Sequence, residues 1–182
     1  MQPDPAPRWD GELDAADPSG LRRALGSFAT GVTVITTLAD GGRPVGVTAS
    51  SFNTVSLDPP LILWSLSRQS PNLDAFRSGS HFAVNVLADG QLELCNRFGR
   101  PGPDKFAGLV TQPGAGGAPL LAGAVAQFEC QREAVYPGGD HLILIGRVLR
   151  YRWNSRNPLL FCQGRLGPAP QPAPIPEAAL AG

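Results

Sequence analysis

Apolar and polar positions along the chain alternate mostly with the period of strands, and only a few stretches carry the period of a helix. Leu21, Leu25 and Phe28 recur at helical spacing behind Asp17 and Pro18, a capping residue and a favoured first helical residue. Gly31 then opens the β-rich run Val32-Thr33-Val34-Ile35-Thr36-Thr37. Gly41-Gly42 marks a hairpin, and Arg43 to Ser51 follows with Val45 and Val47 alternating against small residues. Asp58-Pro59-Pro60 breaks the pattern. The continuous apolar run Leu61–Leu66 predicts a central strand, covered on both faces. Ser70-Pro71 predicts the start of a short helix over 71–78. His81 to Leu87 reads as a strand, and Asp89 as the cap of a helix reaching about Phe98. Residues 99–120, rich in Gly and Pro, are expected to form a long loop. Two long strands, Val125–Val135 and Asp140–Tyr151, are expected around a turn at Tyr136-Pro137-Gly138-Gly139.

Strand follows strand with few helices between, which predicts a mainly β fold with a few short helices. About six or more antiparallel strands at this length favour closing on themselves, because closure removes exposed edges. Neither the alternation of strand and helix nor a G-x-G-x-x-G after a first strand is present. A dinucleotide, if bound, is therefore not held in an α/β crevice.

Composition narrows the picture. The chain has 182 residues, enough for one domain with a sizeable core. Residues 1–16, rich in Pro and Asp, and the Pro/Ala-rich residues 167–182 are expected to be loose, leaving 17–166 as the folded unit. Fifteen basic residues balance fifteen acidic ones, so nothing calls for nucleic acid or an anionic membrane surface as a partner. No apolar run approaches a membrane span, and the N-terminus lacks the apolar core of a signal peptide. Cys95, Cys130 and Cys162 are odd in number and lack ligand spacing. They are expected to be reduced thiols in a cytoplasmic protein that holds no metal.

Three clusters carry candidate chemistry. Thr48-Ala49-Ser50-Ser51-Phe52-Asn53 offers small hydroxyl donors without charge. That suits a flat heterocycle with several carbonyls, though an ordinary hydroxyl-rich strand end or turn is the commoner cause of such a run. Ser65, Ser67, Arg68 and Ser70 precede the expected helix start, where backbone N–H groups and a guanidinium favour a phosphate; Ser70 simply capping its own helix is the other reading. His141 follows Gly138-Gly139-Asp140 at a strand entry, with Asp140 placed to fix its tautomer; a structural pair explains the same residues. His81 reads as structural or exposed. With no triad, metal motif or paired carboxylates, the inventory fits chemistry carried by an organic cofactor.

Five stretches in this order resemble the short-chain flavin reductases that serve two-component flavin-dependent monooxygenases. They are Phe28–Thr36, Pro44–Phe52, Val55–Leu61, Phe82–Leu87 and Gly139–His141; Asp104-Lys105-Phe106 and Pro158–Phe161 fit as well. The resemblance implies a split β-barrel that binds FMN or FAD, accepts hydride from NADH or NADPH, works as a homodimer and passes reduced flavin to a monooxygenase. By position, Thr48, Ala49, Ser50 and Ser51 would face the flavin ring and ribityl chain. Ser67, Arg68 and Ser70 would take its phosphate, and Ser65 and Asn85 would also bind the flavin. His141, the catalytic candidate, would meet the nicotinamide nucleotide together with Gly139 and Asp140. The family usually carries an aromatic residue after the glycine that follows the Pro-Leu-Leu segment. This chain instead reads Gly164-Arg165-Leu166-Gly167, with Arg165 placed to take a phosphate. A flavin carrier without turnover, or a flavoprotein acting directly on a small molecule, would share the same fold.

Overall fold

The computed structural model describes residues 18–102 and 104–170. Residues 1–16, Asp17 and most of the Pro/Ala-rich tail, expected to be loose or capping, lie outside the described residues. The chain is mainly β, as its alternation implies. Seven antiparallel strands form one sheet in the order β3-β2-β6-β9-β10-β5-β4. In chain order these are β2 (Thr33–Leu38), β3 (Pro44–Ala49), β4 (Asn53–Leu57), β5 (Pro60–Ser67), β6 (His81–Val86), β9 (Ala126–Gly138) and β10 (His141–Trp153). A small sheet joins β1 (Thr30–Gly31), β11 (Leu159–Cys162) and β12 (Arg165–Pro168), and β7 (Thr111–Pro113) pairs with β8 (Pro119–Leu121). Three α-helices, α1 (Ser19–Gly26), α2 (Leu73–Ser78) and α3 (Leu92–Gly99), lie among the described residues.

Several elements depart from the sequence expectation. Leu61–Leu66 lies in β5, which is second from the sheet edge rather than central. Only alternate residues, Ile62, Trp64 and Leu66, are buried in it. The turn between the long strands tightens to Gly139-Asp140, because His141 pairs with Gly138 and Gly139 takes a positive φ of 66°. The expected loop 99–120 contains β7 and most of β8, whose three residues are all buried. β11 and β12 extend the ordered chain to Pro168, past the expected boundary at 166. Asp89 opens only a single 3-10 turn. Gln91 instead caps that turn, its Oε1 accepting from the Ala88 N–H at 3.0 Å.

Two large apolar clusters hold the sheet, beside a small third one of Ala83, Ala118 and Leu120. Ile35, Trp64, Phe82 and Leu144 pack with Phe76 of α2 on one face, Trp64 meeting Phe76 edge-on with ring centroids 4.9 Å apart. Val32, Val34, Leu87 and Leu121 pack with Phe98 of α3 on the other. β2 is therefore buried on both faces. Its threonines are satisfied internally: Thr33 donates to the Ala49 carbonyl at 2.7 Å and Thr37 to that of His81 at 2.7 Å. Gly46 lets α3 approach, since a Cβ there would stand 2.7 Å from the Phe98 ring. This close contact brings the chain after α3 alongside β3 and β5.

Candidate functional site

A cavity of about 410 Å³ opens between the end of β3, the end of β5, the loop Gln69–Asn72 and the chain that follows α3. One wall is neutral and hydroxyl-bearing, with Thr48, Ala49, Ser50, Ser65, Ser67 and Ser70, and His141 stands beside it. His141 is held there by the ladder, as the direct partner of Ser67 across β10 and β5. The opposite wall carries Arg100 and Lys105, and none of the described lining residues is Asp or Glu.

The His141 ring is fixed from one side. Its Nδ1 lies 2.7 Å from Asp140 Oδ1, so with Nδ1–H donating to the carboxylate, Nε2 is the nitrogen left for a ligand. The same hydrogen bond, followed by the imidazolium charge, holds the Asp140 carboxyl below its ordinary range; Arg22 adds a smaller pull in the same direction. Lys105 donates to the Phe98 carbonyl at 3.1 Å, and burial pulls its pKa below the ordinary lysine value. The Arg100 guanidinium makes no hydrogen bond or ion pair with the described residues.

The sequence-predicted residues do not all converge here. Thr48 lines the cavity, but its hydroxyl proton is committed to the Cys95 carbonyl of α3 at 2.7 Å. Ser51 does not line it; its hydroxyl accepts from the Ser65 N–H at 2.9 Å and stitches the β3–β4 connection to β5. Arg68 also lies outside the lining. Its Nε donates to the Gly139 carbonyl and its N–H to that of Asp140, both at 2.9 Å, so it braces the turn that presents His141. Gly139 and Asp140 shape that turn from outside the cavity. Arg165 is exposed on β12, among none of the cavity's lining residues. Asn85 is fully buried in the sheet, donating to the Val34 carbonyl at 3.1 Å and accepting from the Leu121 N–H at 2.8 Å and Gln127 Nε2 at 2.6 Å.

The positive end is also built differently from the expectation. Residues 71–72 form a turn, α2 starts at Leu73, and Asn72 occupies the N-cap position. Ser70 accepts from the Asn72 N–H at 3.3 Å and so caps the turn rather than the helix. Six residues of helix give little macrodipole. The charge available to an anion comes instead from Arg100 and Lys105. Lys105 sits inside the Asp104-Lys105-Phe106 stretch that carries the family resemblance, which was the signal for it. Arg100, in a Gly/Pro-rich segment without periodicity, gave none.

The arrangement suits a flavin. Neutral donors match the carbonyls and nitrogens of its ring, and the cations match its phosphate. At the cavity floor the fully buried Trp64 has its Nε1–H without an acceptor among the described residues, a donor whose burial costs about 1–3 kcal/mol until it is satisfied. Comparison with known proteins places this chemistry in a class. The chain belongs to the family described as flavin reductase like domain, which matches residues 25–170. It is 43% identical over 153 residues to the reductase subunit HsaB of a flavin-dependent monooxygenase from Rhodococcus jostii, covering 84% of this chain and 78% of that protein. Its fold matches the Streptomyces globisporus NADH:FAD oxidoreductase SgcE6 with a TM-score of 0.82 at 40% identity, covering 90% and 99% of the two chains. It is also 43% identical over 148 residues to a probable flavin reductase of Rhizobium meliloti, which covers 81% of this chain, but the chain spans only about half, 48%, of that relative's length. No helix among the described residues is long and apolar enough to cross a membrane.

Proposed function

We propose that the cavity binds a flavin and that the protein is an NAD(P)H:flavin oxidoreductase, reducing FMN or FAD and supplying reduced flavin to a partner monooxygenase. The observation that carries this reading is the pairing of a carboxylate-free, hydroxyl-bearing wall with two cations and a carboxylate-braced histidine. When bound, the flavin supplies the ring that accepts hydride from the nicotinamide. The chain's own part is positional. Ser50 and Ser65 would flank the ring, and Ser67, Ser70, Arg100 and Lys105 would receive the phosphate. Asp140 and Arg68 hold His141 beside the cavity, where it would meet the nicotinamide. Enforced proximity and exclusion of water then account for the rate, without a general base. The HsaB relative, named as a monooxygenase reductase subunit, supports the onward transfer.

We infer that the protein works as a homodimer, in the split-barrel form common to the resemblance. Leu21 and Leu25 of α1 and Phe28 just beyond its end are exposed, and β3 and β4 are unpaired edges of the main sheet. Unpaired Cys95, Cys130 and Cys162 support a cytoplasmic setting.

The test is oxidation of NADH or NADPH by the purified protein, followed at the nicotinamide absorbance band with and without added FMN, FAD or riboflavin. Rapid oxidation that requires free flavin is expected. No oxidation with any flavin points to a carrier, and oxidation that requires a further small molecule points to a directly acting flavoprotein.

A further inference from the structure

Resting on that reading, the shape of the cavity carries a choice between the two flavins. A second cavity of about 490 Å³ meets the first at Asn72 and Lys105, which line both. Each is within the roughly 300–1,000 Å³ range of ligand sites, and one cavity alone lies toward the lower end of it. The second is lined by Arg43, Pro44, Val45, Gly46, Asp104 and Phe106 among others. Its lining differs from the hydroxyl wall. It offers apolar surface from Pro44, Val45 and Phe106, a ring already held edge-on by Phe98 at 5.0 Å. It also carries one further cation.

Arg43 is that cation. It is exposed, and its guanidinium makes no hydrogen bond or ion pair among the described residues. The single acid of the lining, Asp104, already accepts from the Phe106 N–H at 3.0 Å. Passing from the first cavity to the second, a ligand thus meets Arg100, then Lys105, then Arg43. FMN ends in one phosphate and has no use for the last of these. FAD continues through a second phosphate to a ribose and a flat, largely apolar purine. We propose that the second cavity takes the adenylate half of FAD, with Arg43 on its diphosphate, so that the chain prefers FAD over FMN.

Fluorescence titration of the full chain with FMN and with FAD tests this without turnover. FAD is expected to bind at least about ten-fold more tightly than FMN, the effect of one added hydrogen bond to a charged group. Arg43→Ala is expected to remove most of that difference by weakening FAD alone, and Arg43→Lys to restore part of it. Equal affinity for the two flavins, or an Arg43→Ala variant that weakens both alike or neither, overturns the preference while leaving flavin binding intact. Failure of the unmodified chain to bind either flavin overturns the functional reading itself.

Discussion

His141 owes its position to three neighbours that each act on it differently. Ser67 fixes its backbone through the ladder, Asp140 its ring, and Arg68 the turn that precedes it. Removing the ring should therefore slow the reaction more than it weakens flavin binding. His141→Ala is expected to lower the rate of flavin reduction by NADH about ten-fold in stopped-flow measurements, the effect of losing one positioning contact, while the flavin Kd stays within two-fold. Asp140→Asn should lose part of the same rate. Because the Asp140 carboxyl titrates below its ordinary value of 3.8, its bond to His141 persists from neutral pH down through that value and is lost only as the pH falls further. The Asp140 side-chain carboxyl resonance, followed by NMR, should titrate below 3.8; a midpoint at or above 3.8 would count against the clamp. At this scale the sequence was readable only in part. A hydroxyl at a turn, such as that of Ser67 or Ser70, looks the same whether it faces a ligand or a backbone N–H. Asn85, a lone polar residue in an apolar strand, looks the same whether it meets a cofactor or a buried network.

Among the elements, the β9–β10 hairpin sets the site more than any other. It carries His141 at one end, and near its middle it bends at register shifts beside Gly146 and Val148. Gly146 is required by packing. A Cβ at that position would collide with the Phe82 ring and stand 3.1 Å from the Cys130 Cβ, both in the core. Gly146→Ala is expected to destabilise the protein by about 1–3 kcal/mol in urea denaturation, the cost of overpacking a filled core. A change below about 0.5 kcal/mol would show that the core there yields. The hairpin was legible because thirteen-residue strands leave a long alternating pattern. β4, β11 and β12 were not, since four or five residues alternate too briefly to stand out from a loop. α2 was placed two residues early because Ser70 and Pro71 suit a turn as well as a helix start.

Across the whole molecule, the mainly antiparallel fold followed from the order of strands, and the neutral half of the candidate site followed from where the hydroxyl clusters fall in it. The cationic half did not. Arg100 and Lys105 reach the cavity because α3 packs under β3 through the Gly46–Phe98 contact, a tertiary fact with no local pattern. Leu21, Leu25 and Phe28 read in sequence as one face of an ordinary helix; the structure ends α1 at Gly26, before Phe28, and leaves Leu25 at 65% and Phe28 at 75% exposure, surface that the proposed homodimer would cover. Flavin is expected to sit in the cavity beside His141. Ser50, exposed at its rim, can be enlarged without disturbing either core. Flavin titration of Ser50→Trp, with thermal unfolding as the control for folding, tests this placement. A flavin Kd raised by at least about ten-fold with Tm nearly unchanged is expected, since the indole would displace the ligand from its seat; an unaltered Kd in the folded variant would show that flavin binds elsewhere.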